Sequence, residues 1–80
     1  MTDIIHYGHN SQEDLIELLS SLRRYKGITQ SDLADSIVST KSNVSRFEHN
    51  THSPTFKTLC NYINAIGYDF EIVLINRDKG

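Results

Sequence analysis

The sequence predicts an all-α domain of four to five short helices followed by one C-terminal β-strand. Four stretches of apolar residues recur at helical spacing, and each follows a small polar residue that suits a helix N-cap. The last apolar stretch, residues 68–75, is rich in β-branched and aromatic residues and begins by alternating polar with apolar, which is typical of a strand. With 80 residues, the chain has room for one hydrophobic core.

Start and stop signals delimit the first two helices. The first follows Ser11, which together with Asp14 resembles a capping box, and it ends before Gly27. Glycine suits that position because it adopts the left-handed backbone conformation without strain. The second helix covers residues 30–37 and follows the start signal of Thr29.

Two further helices complete the predicted bundle. Thr40 is a good N-cap for a third helix over residues 41–49, which Asn50 can end because Asn tolerates the left-handed conformation. After a short loop, Thr55 caps a fourth helix that closes at Gly67.

Apolar residues at helical spacing mark the side of each helix that is predicted to face the core. They are Leu15, Ile16, Leu18, Leu19 and Leu22 in the first helix, Leu33, Ala34 and Ile37 in the second, Val44 and Phe47 in the third, and Phe56, Leu59, Cys60, Ile63 and Ile66 in the fourth. Because Cys60 belongs to this inward set, we predict a small core residue rather than a reactive thiol.

Positive charge is concentrated in the middle of the chain, although the net charge is −2. Residues 1–22 carry a net charge of −4, residues 23–57 carry six basic against three acidic side chains, net +3, and residues 58–80 sum to −1. A basic region is typical of nucleic-acid binding but also arises by chance. Charge alone therefore leaves both interpretations open.

Composition excludes several classes of protein. With 38% hydrophobic and 22% charged residues, the chain lacks the profile of a disordered protein, and no apolar run approaches the ~18 residues that a membrane span needs. The first ten residues lack the pattern of a signal peptide, and a single cysteine allows no internal disulfide, so we expect a cytoplasmic protein.

No chemistry-bearing cluster is evident in the sequence. There is no nucleophile–base set and no phosphate-binding loop, so we expect neither catalysis nor a cofactor. The pair His6 and His9 and the pair His49 and His52 could bind a metal, but neither comes with further ligands at suitable spacing, so no metal site is expected.

Residues 30–37 and 41–49 together form the pattern of a helix-turn-helix, two short helices joined by about three residues. The close helix crossing requires a small residue, which is Ala34, and an apolar residue from the helix over residues 41–49, which is Val44. The exposed side of that helix begins with side chains able to hydrogen-bond to base edges. These are Lys41, Ser42, Asn43 and Ser45.

The pattern resembles the Xre/Cro/CI-type helix-turn-helix family over about Leu19 to Gly67. The residues that carry the match are Arg23, Gly27, Ile28, Thr29, Gln30, Leu33, Ala34, Val44, Ser45, Phe47, Glu48, Pro54, Thr55 and Leu59. The resemblance implies a lambda-repressor-like bundle that binds a DNA duplex. A shorter stretch, residues 66–74, resembles the C-terminus of HipB- and HigA-type antitoxins.

The resemblance also implies roles for individual residues. Gln30 falls on a position that contacts a DNA phosphate and braces the recognition helix, and Lys41 falls on the first exposed recognition position. Arg23 and Glu48 fall on a structural ion pair, which is reasonable because a carboxylate at a helix C-terminus requires a nearby cation. The candidate DNA-contacting residues are Gln30, Thr40, Lys41, Ser42, Asn43, Ser45, Arg46 and Thr51.

The turn of the motif departs from the family pattern. Val38 and Ser39 occupy the place where Gly and an apolar residue are usual. A β-branched residue with positive φ costs on the order of 1–3 kcal/mol. Either this turn is strained or its backbone differs from the family's.

A single C-terminal strand needs a partner, because unpaired strand edges are costly. We expect it to pair with its own copy across a two-fold axis, with Phe70, Ile72 and Leu74 lying on the helices. The predicted organisation is an N-terminal arm (1–10), a helix-turn-helix domain (11–67), a dimerisation strand (68–76) and a tail (77–80).

These features predict a homodimeric, sequence-specific repressor that binds a palindromic operator in double-stranded DNA. The C-terminal resemblance favours an antitoxin that represses its own operon and neutralises a toxin protein, either a HipA-like kinase or a ribonuclease. The alternative is a phage or plasmid repressor with no toxin partner. The operator, the toxin and any inducer are not specified by the sequence.

Overall fold

The computed structural model of the chain describes residues 4–8, 11–49 and 53–78, and these contain four α-helices. The helices are α1 (Gln12–Tyr25), α2 (Gln30–Ser36), α3 (Lys41–Glu48) and α4 (Phe56–Ala65). Their order and approximate bounds are those that the sequence predicts. Asn50, the residue predicted to end the third helix, lies outside the described residues.

Each helix begins at a hydroxyl side chain. The hydroxyl oxygens of Ser11, Thr29, Thr40 and Thr55 each accept a hydrogen bond from the backbone N–H three residues further on. At α2 the capping box is complete, because the Asp32 carboxylate accepts in return from the Thr29 N–H at 3.2 Å. These caps fix where the short helices start and satisfy N–H groups that the helices leave unpaired.

Three of the helices end in the same six-residue arrangement, the Schellman motif. In each, the residue after the C-cap has positive φ, and its own N–H and that of the next residue donate to carbonyls in the last turn of the helix. The positive-φ residue is Gly27 after α1, Val38 after α2 and Gly67 after α4, with φ of 74°, 54° and 86°.

The core lies where the four helices meet. Its buried apolar residues are Ile16, Leu19, Leu33, Ala34, Val44, Tyr62, Ile63 and Ile66. Leu33, Ala34 and Val44 belong to one cluster, so α2 and α3 pack as a closely crossed pair against α1 and α4. Three predicted core residues are less buried than expected. Phe56, in the first turn of α4, is 60% exposed, and Leu18 and Cys60 are half-buried and are not among the side chains that pack on the core cluster.

The predicted C-terminal strand is not seen. Residues 68–78 run on from α4 without regular secondary structure. A strand needs a second strand to bond with, and no other segment among the described residues offers one. Phe70 does contact the bundle, through an edge-to-face contact with Phe56 at 5.7 Å between ring centroids, but Ile72 and Leu74 are exposed and do not lie on the helices as predicted.

No helix in the described ranges is long and apolar enough to cross a membrane.

Candidate nucleic-acid interface

The α2–α3 pair presents the first turn of α3 to solvent. Thr40, Lys41, Ser42 and Asn43 are all exposed, whereas Val44 directly after them is 1% exposed. Burial of Val44 fixes which side of α3 faces inward, because residues on one helix face recur every three to four positions. The polar residues at the start of α3 are thereby held on the outer side, where they are available to another molecule.

Asn43 is already oriented by neighbouring side chains. Its amide Nδ2 donates to the Ser39 hydroxyl at 3.2 Å, and its Oδ1 accepts a hydrogen bond from the Arg46 guanidinium. The amide therefore has a defined direction on the surface of α3. Lys41 forms no ion pair with any residue that the structure describes, so its ammonium group is free to meet an anionic or hydrogen-bonding partner.

Two of the predicted contact residues are less available than the others, and one cannot be placed. Ser45 is half-buried, and its hydroxyl lies 3.3 Å from His49 Nδ1. Gln30 is also half-buried and faces Glu48. Thr51 lies outside the described residues, as do His9 and His52. Within the described ranges, no group of three His, Cys, Asp or Glu side chains could hold a metal ion.

The C-terminal end of α3 is held by a bidentate ion pair with α1. The Arg23 guanidinium donates from Nε to Glu48 Oε2 at 2.6 Å and from Nη2 to Glu48 Oε1 at 3.0 Å, and both side chains are less than 10% exposed. The remaining Nη1 donates to the Ile28 carbonyl at 2.7 Å. One arginine therefore joins the end of α1, the turn before α2 and the end of α3.

Two further donors complete the environment of the Glu48 carboxylate. Tyr62 of α4 donates its hydroxyl to Oε2 at 2.6 Å, and Gln30 at the start of α2 donates Nε2 to Oε1 at 3.0 Å. The Tyr62 ring also stacks on Phe47, with centroids 4.5 Å apart. All four helices thus meet at one carboxylate, which sets the position of α3 relative to the rest of the domain.

The protonation of this network follows from its geometry. Burial alone would raise the pKa of Glu48, but the hydrogen bonds from Arg23, Tyr62 and Gln30 outweigh it, and the pKa lies below its usual value. Burial raises the pKa of the Tyr62 hydroxyl, and the adjacent Glu48 charge raises it further. Burial would lower the pKa of Arg23, but its bonds to Glu48 leave that pKa raised. The charged pair is therefore stable at neutral pH.

The turn before α3 keeps its ordinary hydrogen bonds despite its sequence. Val38 has φ of 54°, its N–H donates to Asp35 O at 3.3 Å, and the Ser39 N–H donates to Ala34 O at 2.8 Å. Of the two alternatives that the sequence leaves open, the turn is thus strained, and its hydrogen bonds match those of the turns after α1 and α4. The Val38 side chain is 94% exposed, so packing does not compensate for the strain.

The closely crossed helix pair, its exposed polar first turn and the carboxylate that fixes α3 define a helix-turn-helix DNA-binding domain of a transcription regulator. The family model described as helix-turn-helix, the Xre/Cro/CI-like type, matches residues 19–73. Since this match covers more than half of the 80-residue chain, the protein belongs to that family. Neither a curated protein nor a solved structure matches the chain.

Sequence reasoning missed Tyr62. Its spacing with Leu59, Ile63 and Ile66 fits the inward face of α4, so burial could have been predicted. The hydrogen bond from its hydroxyl to Glu48 could not have been predicted, because that contact depends on how α4 packs against α3. A second missed contact is Lys26, whose Nζ donates to the Ile66 carbonyl at 2.7 Å and lies over the Tyr68 ring.

Proposed function

We propose that this protein is a homodimeric transcriptional repressor that acts in the cytoplasm by binding a palindromic operator, without catalysis. The observation that supports it most is the exposed first turn of α3, where Lys41, Ser42 and Asn43 project from a helix whose other end is fixed at Glu48. A helix held in this way can enter a major groove with its N-terminal side chains facing base edges.

The proposed contacts fall into two groups. Lys41, Ser42 and Asn43 lie at the start of α3 and read base edges, whereas Gln30, Thr40 and Arg46 contact phosphates. Gln30 has a second task in this proposal, since its amide also donates to Glu48 at 3.0 Å. A single residue then couples phosphate binding to the position of α3.

The experiment starts from a duplex that the protein selects out of a random-sequence pool. Binding of that duplex and of an unrelated duplex is measured across a range of salt concentrations, because each phosphate contact adds about 0.9 to the log–log slope. We expect Lys41→Ala to weaken binding to the selected duplex by about 1–3 kcal/mol and to relax base preference. Arg46→Ala is expected to weaken binding to both duplexes through a lost phosphate contact, and the selected duplex somewhat more, because Arg46 also orients Asn43.

A matched control is Arg24→Ala, which removes one exposed positive charge from α1 rather than from α3. If Lys41→Ala lost the same energy on both duplexes, Lys41 would be a phosphate contact and not a base contact. If the pool yielded no preferred duplex, the proposal of sequence-specific binding would fail.

We propose as a second function that the protein is the antitoxin of a toxin–antitoxin pair and represses its own operon. The exposed apolar side chains of Ile72, Val73, Leu74 and Ile75 support it, because four consecutive exposed apolar residues favour protein contact. The test is to express the neighbouring gene alone and together with this chain. A toxic neighbour product, a kinase or a ribonuclease, that this chain neutralises would support the antitoxin. A harmless neighbour would favour the phage or plasmid repressor.

A further inference from the structure

We infer that Val38, in the turn before the recognition helix α3, contacts the apolar surface of the DNA duplex. The inference rests on the proposed DNA binding and adds to it a residue that carries no polar group. The Val38 side chain is a small branched hydrocarbon, which can pack on either the 5-methyl group of thymine or the edge of a deoxyribose.

The first observation is the backbone of Val38. The same Schellman hydrogen bonds close α1, α2 and α4, yet the left-handed position is glycine at Gly27 and Gly67 and valine only here. Left-handed φ is unfavourable for any residue with a Cβ and most unfavourable for a β-branched one. Val38 therefore makes the fold less stable than glycine would at this position.

The second observation is the side chain. Val38 is 94% exposed, more than any other large hydrophobic residue that the structure places at the surface. Its methyl groups consequently contribute almost nothing to the core. A residue that is strained and packs on nothing within its own chain has no structural reason to be valine, and such positions are concentrated at functional sites.

The third observation is the location. Val38 lies two residues before Thr40, the N-cap of α3, and three before Lys41. Its exposed neighbours in the turn and in the first turn of α3 are polar or cationic, so they do not extend Val38 into an apolar patch of the size that a protein partner needs. A duplex fits this mixture, because its surface combines phosphates, base edges and isolated methyl groups.

The test uses two variants of the full chain, Val38→Gly and Val38→Asn, with the duplex that the wild-type protein selects. Both Gly and Asn tolerate the left-handed conformation, so both variants should melt several degrees higher than the wild type. Both should nevertheless bind the selected duplex about fourfold to fourteenfold more weakly, the range expected for one or two methyl groups returned to water. If both variants lose the same affinity, the cause is the lost apolar contact rather than a more flexible turn, because only Val38→Gly makes the turn more flexible.

A matched control isolates the strain. Gly27 occupies the same left-handed position after α1, and nothing lies within 4 Å of a Cβ added there. Gly27→Val should lower the melting temperature by about as much as Val38→Gly raises it. Opposite shifts of similar size would establish that the valine is retained against a cost in stability.

Deoxyuridine substitution distinguishes the two apolar sources on the DNA. Each thymidine of the selected duplex is replaced in turn by deoxyuridine, which lacks the 5-methyl group. A thymine contact predicts one position at which the wild-type protein loses affinity and Val38→Gly does not. A deoxyribose contact predicts that Val38→Gly weakens all duplexes alike and that deoxyuridine has no coupled effect.

Variants that melt higher and bind the selected duplex as tightly as the wild type would overturn the inference. The proposed function would then stand if Lys41→Ala still weakened binding. Failure of the wild type to select any duplex is a different result, since it removes DNA recognition as a whole.

Discussion

Tyr62 in α4 donates its hydroxyl to the carboxylate of Glu48, the last residue of the recognition helix α3, at 2.6 Å. The Tyr62 ring also stacks on Phe47, one residue earlier in α3, so both the ring and the hydroxyl of Tyr62 fix the position of that helix. Since Arg23 and Gln30 donate to the same carboxylate, the recognition helix is positioned from α1, α2 and α4 at once.

Removing only the Tyr62 hydroxyl tests this arrangement. We expect Tyr62→Phe to lower the free energy of unfolding by about 1.5–3 kcal/mol, because a buried bond to a charged group is lost while the stack on Phe47 stays. Urea unfolding measures it. Tyr25→Phe is the matched control, since Tyr25 is 87% exposed and should change stability by less than about 0.5 kcal/mol. Equal losses in the two variants would contradict the assigned bond.

Much of this site was predictable from sequence because the helix boundaries depend on local chemistry. Thr29 and Thr40 bond to N–H groups three residues ahead, and such caps are determined within one turn of chain. The Tyr62 bond depends instead on tertiary packing between residues 14 positions apart in the chain. The exposure of Phe56 has a similar cause: helical spacing places it on the inward side of α4, but the bundle does not extend over the first turn of that helix.

The C-terminal segment was not predicted correctly for a different reason. The composition of residues 68–75 favours a strand, but a strand is a property of two paired segments and not of one. Among the residues that the structure describes, no second segment is placed to pair with it. Composition therefore indicated that the segment has a high propensity for strand, but it could not indicate whether a second strand is present to pair with it.

Acid should weaken the domain through Glu48. Its pKa is lower in the folded chain than in the unfolded chain, so its contribution to stability is complete above the unfolded pKa of about 4.3 and is lost as pH falls through the folded value. We expect the difference in unfolding free energy between the wild type and Glu48→Gln to shrink as pH falls below about 4. Urea unfolding at a series of pH values measures it. Parallel pH profiles would show that the Glu48 carboxylate is not stabilised by folding.

Gln30 should affect both stability and DNA binding. Gln30→Ala removes one of the donors to Glu48, and we expect a loss of about 1.5–3 kcal/mol in unfolding free energy, measured by urea unfolding. It should also weaken binding to the selected duplex, although no charge is removed. Ser31→Ala, at the exposed next residue, serves as the control for both measurements. An unchanged stability would mean that the bond to Glu48 contributes nothing to the fold.

Substitutions at two positions of α3 should distinguish a residue that stabilises the fold from one that contacts DNA. Val44 is buried in the core cluster to which all four helices contribute, so Val44→Ala should cost roughly 1–3 kcal/mol of stability through a lost core contact. Lys41 is exposed three residues earlier on the same helix, and Lys41→Ala should leave stability within about 0.5 kcal/mol. Thermal unfolding followed by circular dichroism measures both. A comparable loss in Lys41→Ala would place Lys41 in the fold rather than at the interface.

The C-terminal segment should determine assembly. One helix-turn-helix reads few base pairs, so specificity requires two recognition helices about 34 Å apart, which a two-fold dimer provides. Ile72 and Leu74 are 66% and 90% exposed in the single chain and alternate along the segment, so pairing with a second copy would cover both. Phe70 is already seated against Phe56, which would join the paired strands to the bundle.

We therefore expect the full chain to sediment as a dimer at micromolar concentration and a chain lacking residues 69–80 to sediment as a monomer. The truncated chain should lose far more affinity for the selected duplex than for an unrelated one, because only specific binding needs both recognition helices. The double variant Ile72→Asp with Leu74→Asp should behave like the truncation, whereas Arg77→Asp, beyond the pairing segment, should stay dimeric. A full chain that sediments as a monomer, or a truncated one that stays dimeric, would exclude this segment from the interface and leave α4 or the N-terminal arm as the alternative.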